Sequence, residues 1–269
     1  MPKSLTTPIS RLHITHWGGQ GLPVLLVHGL AGSVAWWDKA APLLSSHFEV
    51  AALDLLGHGD SAWAQDGHYT TQLLLSNIEE ARKFLNWDKF LLVGHSLGAR
   101  ISVEYAASYS SALEGLVAID FMPHVKESSP RFSKLAKLRQ PVFSNEEAMI
   151  SRFHLQPRET TLPEKDMREL AGKLIKPWEN GFTWKCDWRA FLTRYDSVWP
   201  LLPRIQAPSL MVRGQLSPIM DQNDIREVCR QTSKSESLEI PNAYHHVPLD
   251  APEKTVEAIL HFTRKLATL

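Results

Sequence analysis

The apolar residues of this chain form short runs that are separated by turn residues and longer amphipathic stretches. The run at 12–18 alternates apolar and polar residues, which predicts an exposed antiparallel strand. Five other runs are apolar on both strand faces, as the strands of a parallel sheet covered by helices are. They occupy residues 23–29, 48–54, 89–96, 113–120 and 208–214. A last strand is expected at 237–243.

Helical spacing of apolar residues occurs between these runs. It predicts helices at 70–87, 98–112, 224–233 and 252–266. The last of these helices has Pro252 and Glu253 in its first turn and Arg264 and Lys265 in its last, as the helix dipole favours. Strands and helices therefore alternate along the chain, which predicts an α/β fold.

The alternation stops between residues 122 and 203, where no buried strand is predicted. Helical patterns at 132–139, 145–155, 164–176 and 186–202 take its place, and six prolines from Pro123 to Pro177 break this stretch into short pieces. We interpret 122–203 as a helical cap inserted into an α/β core formed by 1–121 and 204–269. Four of the nine tryptophans lie in this cap, and we expect some of them to line an apolar cleft against the core. They are Trp178, Trp184, Trp188 and Trp199.

Composition narrows the class of protein. Lys plus Arg and Asp plus Glu both number 29, so the formal charge is zero and a nucleic-acid or anionic-membrane partner has no electrostatic support. Cys186 and Cys229 have neither metal-site nor redox spacing. The N-terminal residues lack the apolar run of a signal peptide, and no run long enough to span a membrane occurs. We expect a cytoplasmic protein, with monomer and dimer both left open.

The strongest chemical signal is LLVGHSLGAR at 91–100, in which Ser96 lies between Gly94 and Gly98. A buried strand precedes the serine and a helix follows it, which is the setting of a nucleophile elbow. Glycines at these two positions let the strand and the helix approach closely, and the helix N-terminus directs free N–H groups toward a reacting carbonyl. Ser96 is therefore the candidate nucleophile, and a tight turn with a capping serine is the alternative.

This motif, with three others, resembles the α/β-hydrolase superfamily. VLLVHGLAGS resembles the oxyanion loop after the third strand, DLLGHGDS the turn after the fourth, and NAYHHVPLDAPE the catalytic-histidine loop after the last. They occupy residues 24–33, 54–61 and 242–253. The resemblance covers nearly the whole chain outside the cap. It implies a mostly parallel, eight-stranded sheet flanked by helices, with the cap inserted after the sixth strand.

The resemblance also assigns the two oxyanion donors and the base. The backbone N–H groups of Leu30 and Leu97 are expected to bind the developing oxyanion. His245, the first histidine of the pair in the last loop, is expected to be the base, and His246 is the alternative. A metal site at this pair lacks a further ligand cluster in the sequence, so we expect neither a metal nor another cofactor.

The other histidines in or near these motifs are expected to have structural rather than catalytic roles. His28 is expected to shape the oxyanion loop, and His58 and His95 to support the site. The residues expected to line the substrate pocket are His28, Gly29, His95, Phe121, Trp184, Trp188 and His246.

The acid is where the chain departs from the common family pattern. Most relatives carry an aspartate shortly after the seventh strand, but the corresponding stretch reads RGQLSPIMDQND and has Ser217 at that place. The chain is similar to small capped serine esterases in which the acid follows the sixth strand and a serine assists it. This implies that Asp120 orients His245 and that Ser217 assists Asp120. Asp221 is the alternative acid, and a turn role is the alternative for Ser217.

The reaction expected from this set is acyl transfer through Ser96. Epoxide hydrolases and haloalkane dehalogenases of the superfamily use an aspartate at that position, so they are disfavoured. We expect hydrolysis of a small-molecule carboxylic ester with a small to medium apolar acyl or alcohol group. A carbon–carbon bond (diketone) hydrolase and a perhydrolase or haloperoxidase-like enzyme are alternatives on the same triad. A ligand-binding receptor with slow hydrolysis is the non-enzymatic alternative.

Overall fold

The computed structural model describes residues 1–124, 134 and 137–266. Its centre is an eight-stranded sheet in the order β1-β2-β4-β3-β5-β6-β9-β10. β1 pairs antiparallel with β2 and β2 antiparallel with β4, and the other neighbours are parallel. The strands are β1 Lys3–Thr6, β2 His13–Gly18, β3 Pro23–Val27, β4 Glu49–Leu53, β5 Phe90–His95, β6 Leu113–Ile119, β9 Ser209–Gly214 and β10 Ser235–Ile240. The predicted mostly parallel, eight-stranded sheet of an α/β fold is confirmed.

Helices cover both faces of the sheet, and the side-chain alternation of the strands explains why. In β3, Leu25 and Val27 belong to one apolar core, and Val24 and Leu26 belong to the core on the opposite face. The helices at 71–84, 97–109 and 222–231 pack on the first face, and those at 40–44 and 252–266 pack on the second. The continuous apolar runs in the sequence are the direct result of this two-sided burial.

Within the described residues, the helices are α1 Ala40–Leu44, α2 Thr71–Phe84, α3 Leu97–Tyr109, α4 Glu146–Ile150, α5 Glu164–Lys173, α6 Gln222–Gln231, α7 Val247–Asp250 and α8 Pro252–Leu266. The helices predicted at 70–87, 98–112, 224–233 and 252–266 agree closely with α2, α3, α6 and α8, whereas the short helices α1 and α7 were not predicted. Short 3₁₀ helices lie at Val34–Trp37, Ser110–Ala112, Trp188–Leu192 and Trp199–Arg204. None of the described helices has both the length and the hydrophobicity needed to cross a bilayer.

Strand β1 was not expected from the pattern. Its four residues, Lys3–Thr6, are largely exposed and polar, so they carry no apolar run. The strand forms because it pairs with β2 at the edge of the sheet. This is a tertiary contact, so the local sequence pattern does not predict it.

The segment between β6 and β9 differs from the expected all-helical segment. Helices α4 and α5 are present, but a two-stranded hairpin follows them, with β7 at Ile175–Trp178 and β8 at Gly181–Trp184. Its two-residue turn consists of Glu179, which has φ 49°, and Asn180. The stretch expected to be a helix at 186–202 forms two separate 3₁₀ helices instead. The helix predicted at 132–139 lies largely outside the described residues.

Candidate active site

Ser96 lies at a sharp turn between a strand and a helix. Strand β5 ends at His95, helix α3 begins at Leu97, and Ser96 between them has φ 54° and ψ −115°. A non-glycine residue in such a conformation is strained by roughly 1–3 kcal/mol. The turn presents the Ser96 side chain at the wall of a cavity above the carboxyl end of the sheet. The strain and the exposure to the cavity are both features of a nucleophile elbow.

Three glycines make this turn possible because there is no room for a side chain at their positions. A Cβ on Gly94 would lie 2.4 Å from the Gly98 carbonyl oxygen, and one on Gly98 would lie 2.4 Å from the Val27 carbonyl oxygen. A Cβ on Gly29 would lie 3.0 Å from the Ser96 Cβ. The helix start, the end of β3 and the loop after β3 therefore converge on Ser96.

We expect Gly98→Ala to destabilise the fold by about 3 kcal/mol or more, since the added methyl group would meet backbone atoms that cannot rotate away. Gly172→Ala is the matched control, because Gly172 lies in helix α5 with its nearest neighbour atom 4.0 Å from the added carbon. Alanine there should leave stability unchanged or raise it by up to about 1 kcal/mol. Thermal unfolding of the two variants measures both effects. Equal melting temperatures would contradict the prediction.

A chain of hydrogen bonds runs from Ser96 through His245 to Asp120. The His245 Nε2 is 2.9 Å from the Ser96 Oγ, and the His245 Nδ1 is 2.7 Å from the Asp120 Oδ1. His245 and Asp120 are buried, with 3% and 0% of their surface exposed. Because the carboxylate accepts the Nδ1 proton, Nε2 presents its lone pair to the serine hydroxyl. This arrangement allows the serine proton to pass to the imidazole.

Asp120 is held by more than the histidine. Its Oδ1 also accepts a hydrogen bond from the Ser217 hydroxyl at 2.6 Å, and its Oδ2 accepts one from the Gly214 N–H at 2.8 Å. Burial raises the pKa of Asp120 to about 7, although the donors Ser217 and Gly214 work in the opposite direction. The ionised form of this carboxylate therefore depends on its hydrogen-bond donors.

Ser217→Ala should shift the acid limb of the activity profile to higher pH. The hydroxyl stabilises the charged form of Asp120, so its removal raises the pKa of that carboxyl above about 7. Activity that depends on ionised Asp120 is then lost at a higher pH as the solution is acidified. A hydrogen bond to a charged group contributes about 1.5 kcal/mol, so the acid limb should move up by about one pH unit. The kcat/KM profile from pH 5 to 9 measures this. The control is Ser233→Ala, whose hydroxyl donates to the Ile205 carbonyl; identical profiles for the two variants would refute the prediction.

The alternative acid, Asp221, has a different position. It is exposed at the N-cap of helix α6, where its Oδ1 accepts hydrogen bonds from the N–H groups of Asn223 at 2.7 Å and Asp224 at 2.8 Å. These bonds lower the pKa of Asp221. The structure therefore brings Asp120 to the His245 ring and places Asp221 at a helix end.

The two proposed oxyanion donors lie on either side of Ser96. Leu97 is the first residue of α3, so its N–H has no partner within the helix. Leu30 follows Gly29, the residue packed against the Ser96 side chain. Both leucines line the same cavity as Ser96. The arrangement allows two backbone donors to face one carbonyl oxygen.

The sequence profile of the alpha/beta hydrolase fold matches residues 23–252 of this chain. The chain belongs to the α/β-hydrolase family. A 2-(acetamidomethylene)succinate hydrolase from Mesorhizobium japonicum is 28% identical over 91% of this chain and 88% of its own length. An esterase from Mycobacterium tuberculosis is 25% identical over 90% of this chain and 83% of its own length. The crystal structure of an E-2-(acetamidomethylene)succinate hydrolase superposes with a TM-score of 0.82 at 26% identity, covering 98% of this chain and all of that one.

The cavity of this α/β hydrolase has a volume of about 550 Å³ and is lined by both the core and the inserted segment. Five of the residues expected to line it do so, namely Gly29, His95, Trp184, Trp188 and His246. His28 and Phe121 do not line it, which corrects the expectation from sequence. They are buried in the core, with 0% and 1% of their surface exposed, because their side chains lie on the core side of the loops that carry them.

His28 and His58 support the loops beneath the site. The His28 Nδ1 donates to the Gly29 carbonyl at 2.7 Å, and its Nε2 accepts from the Leu55 N–H at 3.2 Å. Burial lowers the pKa of His28 and lowers that of His58 to about 3. Both rings are therefore neutral, and His28 ties the loop after β3 to the loop after β4.

The His95 ring lies beside the His245–His246 pair, although the sequence indicated no third potential metal ligand near that pair. One ring nitrogen of each histidine lies within 4.8 Å of one from each of the others. The His95 Nε2 donates to the His245 carbonyl at 2.9 Å, and the His246 Nε2 donates to the Pro157 carbonyl at 2.9 Å. Burial lowers the pKa of both His95 and His246. His95 therefore holds the backbone of the proposed base, and His246 ties that loop to the inserted segment.

Several lining residues were missed by the sequence analysis. Arg100, Arg152, Lys185 and Tyr195 all line the cavity. Arg100 lies one helical turn after Ser96, so the helical period alone could have placed it on the serine side of α3. The other three belong to the inserted segment, whose packing against the core has no local signal.

Proposed function

We propose that this protein is a serine hydrolase that cleaves carboxylic esters, with Ser96 as nucleophile, His245 as base and Asp120 as orienting acid. One observation carries the proposal: the 2.9 Å and 2.7 Å contacts that link Ser96, His245 and Asp120 in that order. The strained backbone at Ser96 and the cavity above it support the same roles.

The reaction follows from this geometry. The Ser96 Oγ attacks the ester carbonyl carbon while its proton passes to the His245 Nε2, and the carbonyl oxygen becomes an oxyanion facing the N–H groups of Leu30 and Leu97. The carbon–oxygen bond to the alcohol then breaks, and His245 gives its proton to the leaving oxygen. Water attacks the acyl-enzyme by the same proton path, which releases the carboxylic acid and restores Ser96.

We further propose that residues 122–203 act as a cap that limits the size of the substrate. The cavity contains about 550 Å³, and the walls that the inserted segment contributes include Trp184, Trp188 and Phe191. Walls of this kind favour a small or medium apolar group on the acyl or the alcohol side. The ester linkage is supported by the esterase relative, which covers most of the chain.

A second candidate is hydrolysis of an N-acyl bond, which uses the same triad with an amine in place of the alcohol. The observation that favours it is the relative named 2-(acetamidomethylene)succinate hydrolase. The difference lies in the leaving group, which His245 would protonate in either case. Matched ester and amide substrates separate the two candidates.

The test is labelling by a fluorophosphonate probe, followed by ester hydrolysis. Wild-type protein should be labelled at Ser96 and should hydrolyse p-nitrophenyl esters from acetate to octanoate. Ser96→Ala should lose both activities. Ser108→Ala, which removes a hydroxyl bonded to the Glu104 carbonyl on the same helix, should keep both. Labelling of Ser96→Ala at wild-type rate, or no labelling of wild type, would overturn the proposal.

A further inference from the structure

The charge of the cavity wall is one-sided. Among the residues that the structure describes, Arg100, Arg152 and Lys185 line the cavity, and no aspartate or glutamate does. Lys185 is paired with Asp60 at 2.8 Å, and the guanidinium of Arg152 lies 5.6 Å from the centre of the Phe143 ring. A wall with cations and no acids attracts an anionic substrate and repels a cationic one.

Arg100 is the cation nearest in sequence to the nucleophile, and it is nearly enclosed. It lies on helix α3, where its N–H donates to the Ser96 carbonyl at 3.0 Å, and only 4% of its surface is exposed. Arginine is rarely buried to this extent unless its donors are used. The partners of its guanidinium are therefore informative about the site.

Three of the five N–H donors of the Arg100 guanidinium have no hydrogen-bond acceptor among the described residues. Its Nη1 donates to the carbonyls of Met122 at 3.0 Å and His124 at 3.2 Å. Nε lies 3.6 Å from a Glu104 carboxylate oxygen, an ion pair too long for a hydrogen bond. In the described part of the chain, neither Nε nor Nη2 makes a hydrogen bond. Glu104 thus balances the charge without satisfying these donors.

Tyr195 adds a further donor beside them. The Arg100 Cζ lies 5.4 Å from the centre of the Tyr195 ring, and the Tyr195 hydroxyl is buried, with the Thr193 side chain near it but no hydrogen bond of good geometry within the described residues. Burial raises the pKa of Tyr195, so the side chain stays an O–H donor. Buried donors without acceptors are rare in folded proteins and call for an explanation.

We propose that the substrate carries a carboxylate, and that this group is bound by the Arg100 guanidinium together with the Tyr195 hydroxyl while the scissile carbonyl lies at Ser96. A carboxylate has two acceptor oxygens, so one such group can accept from a guanidinium and from a hydroxyl at the same time. This inference rests on the proposed ester hydrolysis.

The test compares two esters that differ only at the far end of the acyl chain, monomethyl glutarate and methyl pentanoate, with hydrolysis followed by pH-stat titration. Wild type should show a kcat/KM ratio of about 10 or more in favour of the charged ester. Arg100→Gln should lower that ratio roughly 10- to 100-fold, the range of a charged hydrogen bond. Arg100→Lys should lower the ratio less, because lysine keeps the positive charge but cannot donate two parallel hydrogen bonds as a guanidinium does.

Two further variants keep the test decisive if Arg100→Gln does not fold, since that side chain also holds the Met122 and His124 carbonyls. Tyr195→Phe removes only the unpartnered hydroxyl and should lower the ratio roughly 3- to 10-fold. Arg226→Gln, an exposed arginine on helix α6, should leave the ratio unchanged. A ratio near one in wild type, or an equal loss on both esters in Tyr195→Phe and Arg100→Lys, would overturn the carboxylate site. Absence of fluorophosphonate labelling at Ser96 would instead overturn the proposed function.

Discussion

Asp120→Asn should lower kcat by about 10³- to 10⁴-fold, while leaving the fold intact. The asparagine keeps the shape of the side chain but cannot accept the Nδ1 proton of His245 as a carboxylate does, and it favours the wrong imidazole tautomer. The lost charge also removes the stabilisation of the imidazolium that forms when Ser96 attacks. Steady-state hydrolysis of a p-nitrophenyl ester, with circular dichroism as the check on folding, measures the effect.

Asp221→Asn is the matched control for that prediction. Asp221 caps helix α6 through two backbone N–H groups, and asparagine is as good an N-cap residue as aspartate. This variant should therefore keep kcat within a factor of about two and keep its melting temperature. If the Asp221 variant were inactive and the Asp120 variant active, the assignment of the acid would be wrong.

His245→Gln should lower kcat by about 10⁴-fold or more, since the proton of Ser96 would have no acceptor. The 2.9 Å contact between the His245 Nε2 and the Ser96 Oγ is the basis of this expectation. Fluorophosphonate labelling of the variant should slow to a similar extent, because the probe reacts with an activated serine.

His246→Gln is the comparison that separates the two neighbouring histidines. The His246 Nε2 donates to the Pro157 carbonyl, and the glutamine side-chain amide can make a similar bond. We expect a loss of less than about tenfold in kcat/KM, arising from altered contact between the loop and the inserted segment. A greater loss in His246→Gln than in His245→Gln would mean that the base is His246.

The prediction of the fold from sequence succeeded for strands whose side chains are buried on both faces of the sheet, because such strands show a continuous apolar run. The five continuous apolar runs became strands of the sheet because helices cover both of its faces. The prediction failed at Lys3–Thr6 and at the 175–184 hairpin. These segments are short and partly polar, and their pairing partners rather than their own patterns decide their structure.

The acid shows how the sequence narrowed the site without deciding its geometry. The stretch at 213–224 has Ser217 where an aspartate was expected, which left Asp120 and Asp221 as candidates. Only the arrangement of β6 beside β9 brings the Asp120 carboxylate to both the Ser217 hydroxyl and the His245 ring. Contacts between residues about 100 positions apart depend on how strands are ordered in the sheet, and a single sequence does not record that order.

By itself, the sequence determined the strand–helix alternation, the glycine-flanked turn at Ser96 and the loop that carries His245. These are local features: burial period, steric room at glycine, and turn residues act over a few positions. Three other features are seen only in the tertiary structure. They are the contact of the Asp120 carboxylate with the His245 ring, the meeting of His95 with the His245–His246 pair, and the placing of Arg100 and Tyr195 in one cavity wall. Each joins segments distant in sequence, and their contacts are set by packing of the inserted segment and by strand order rather than by any local pattern.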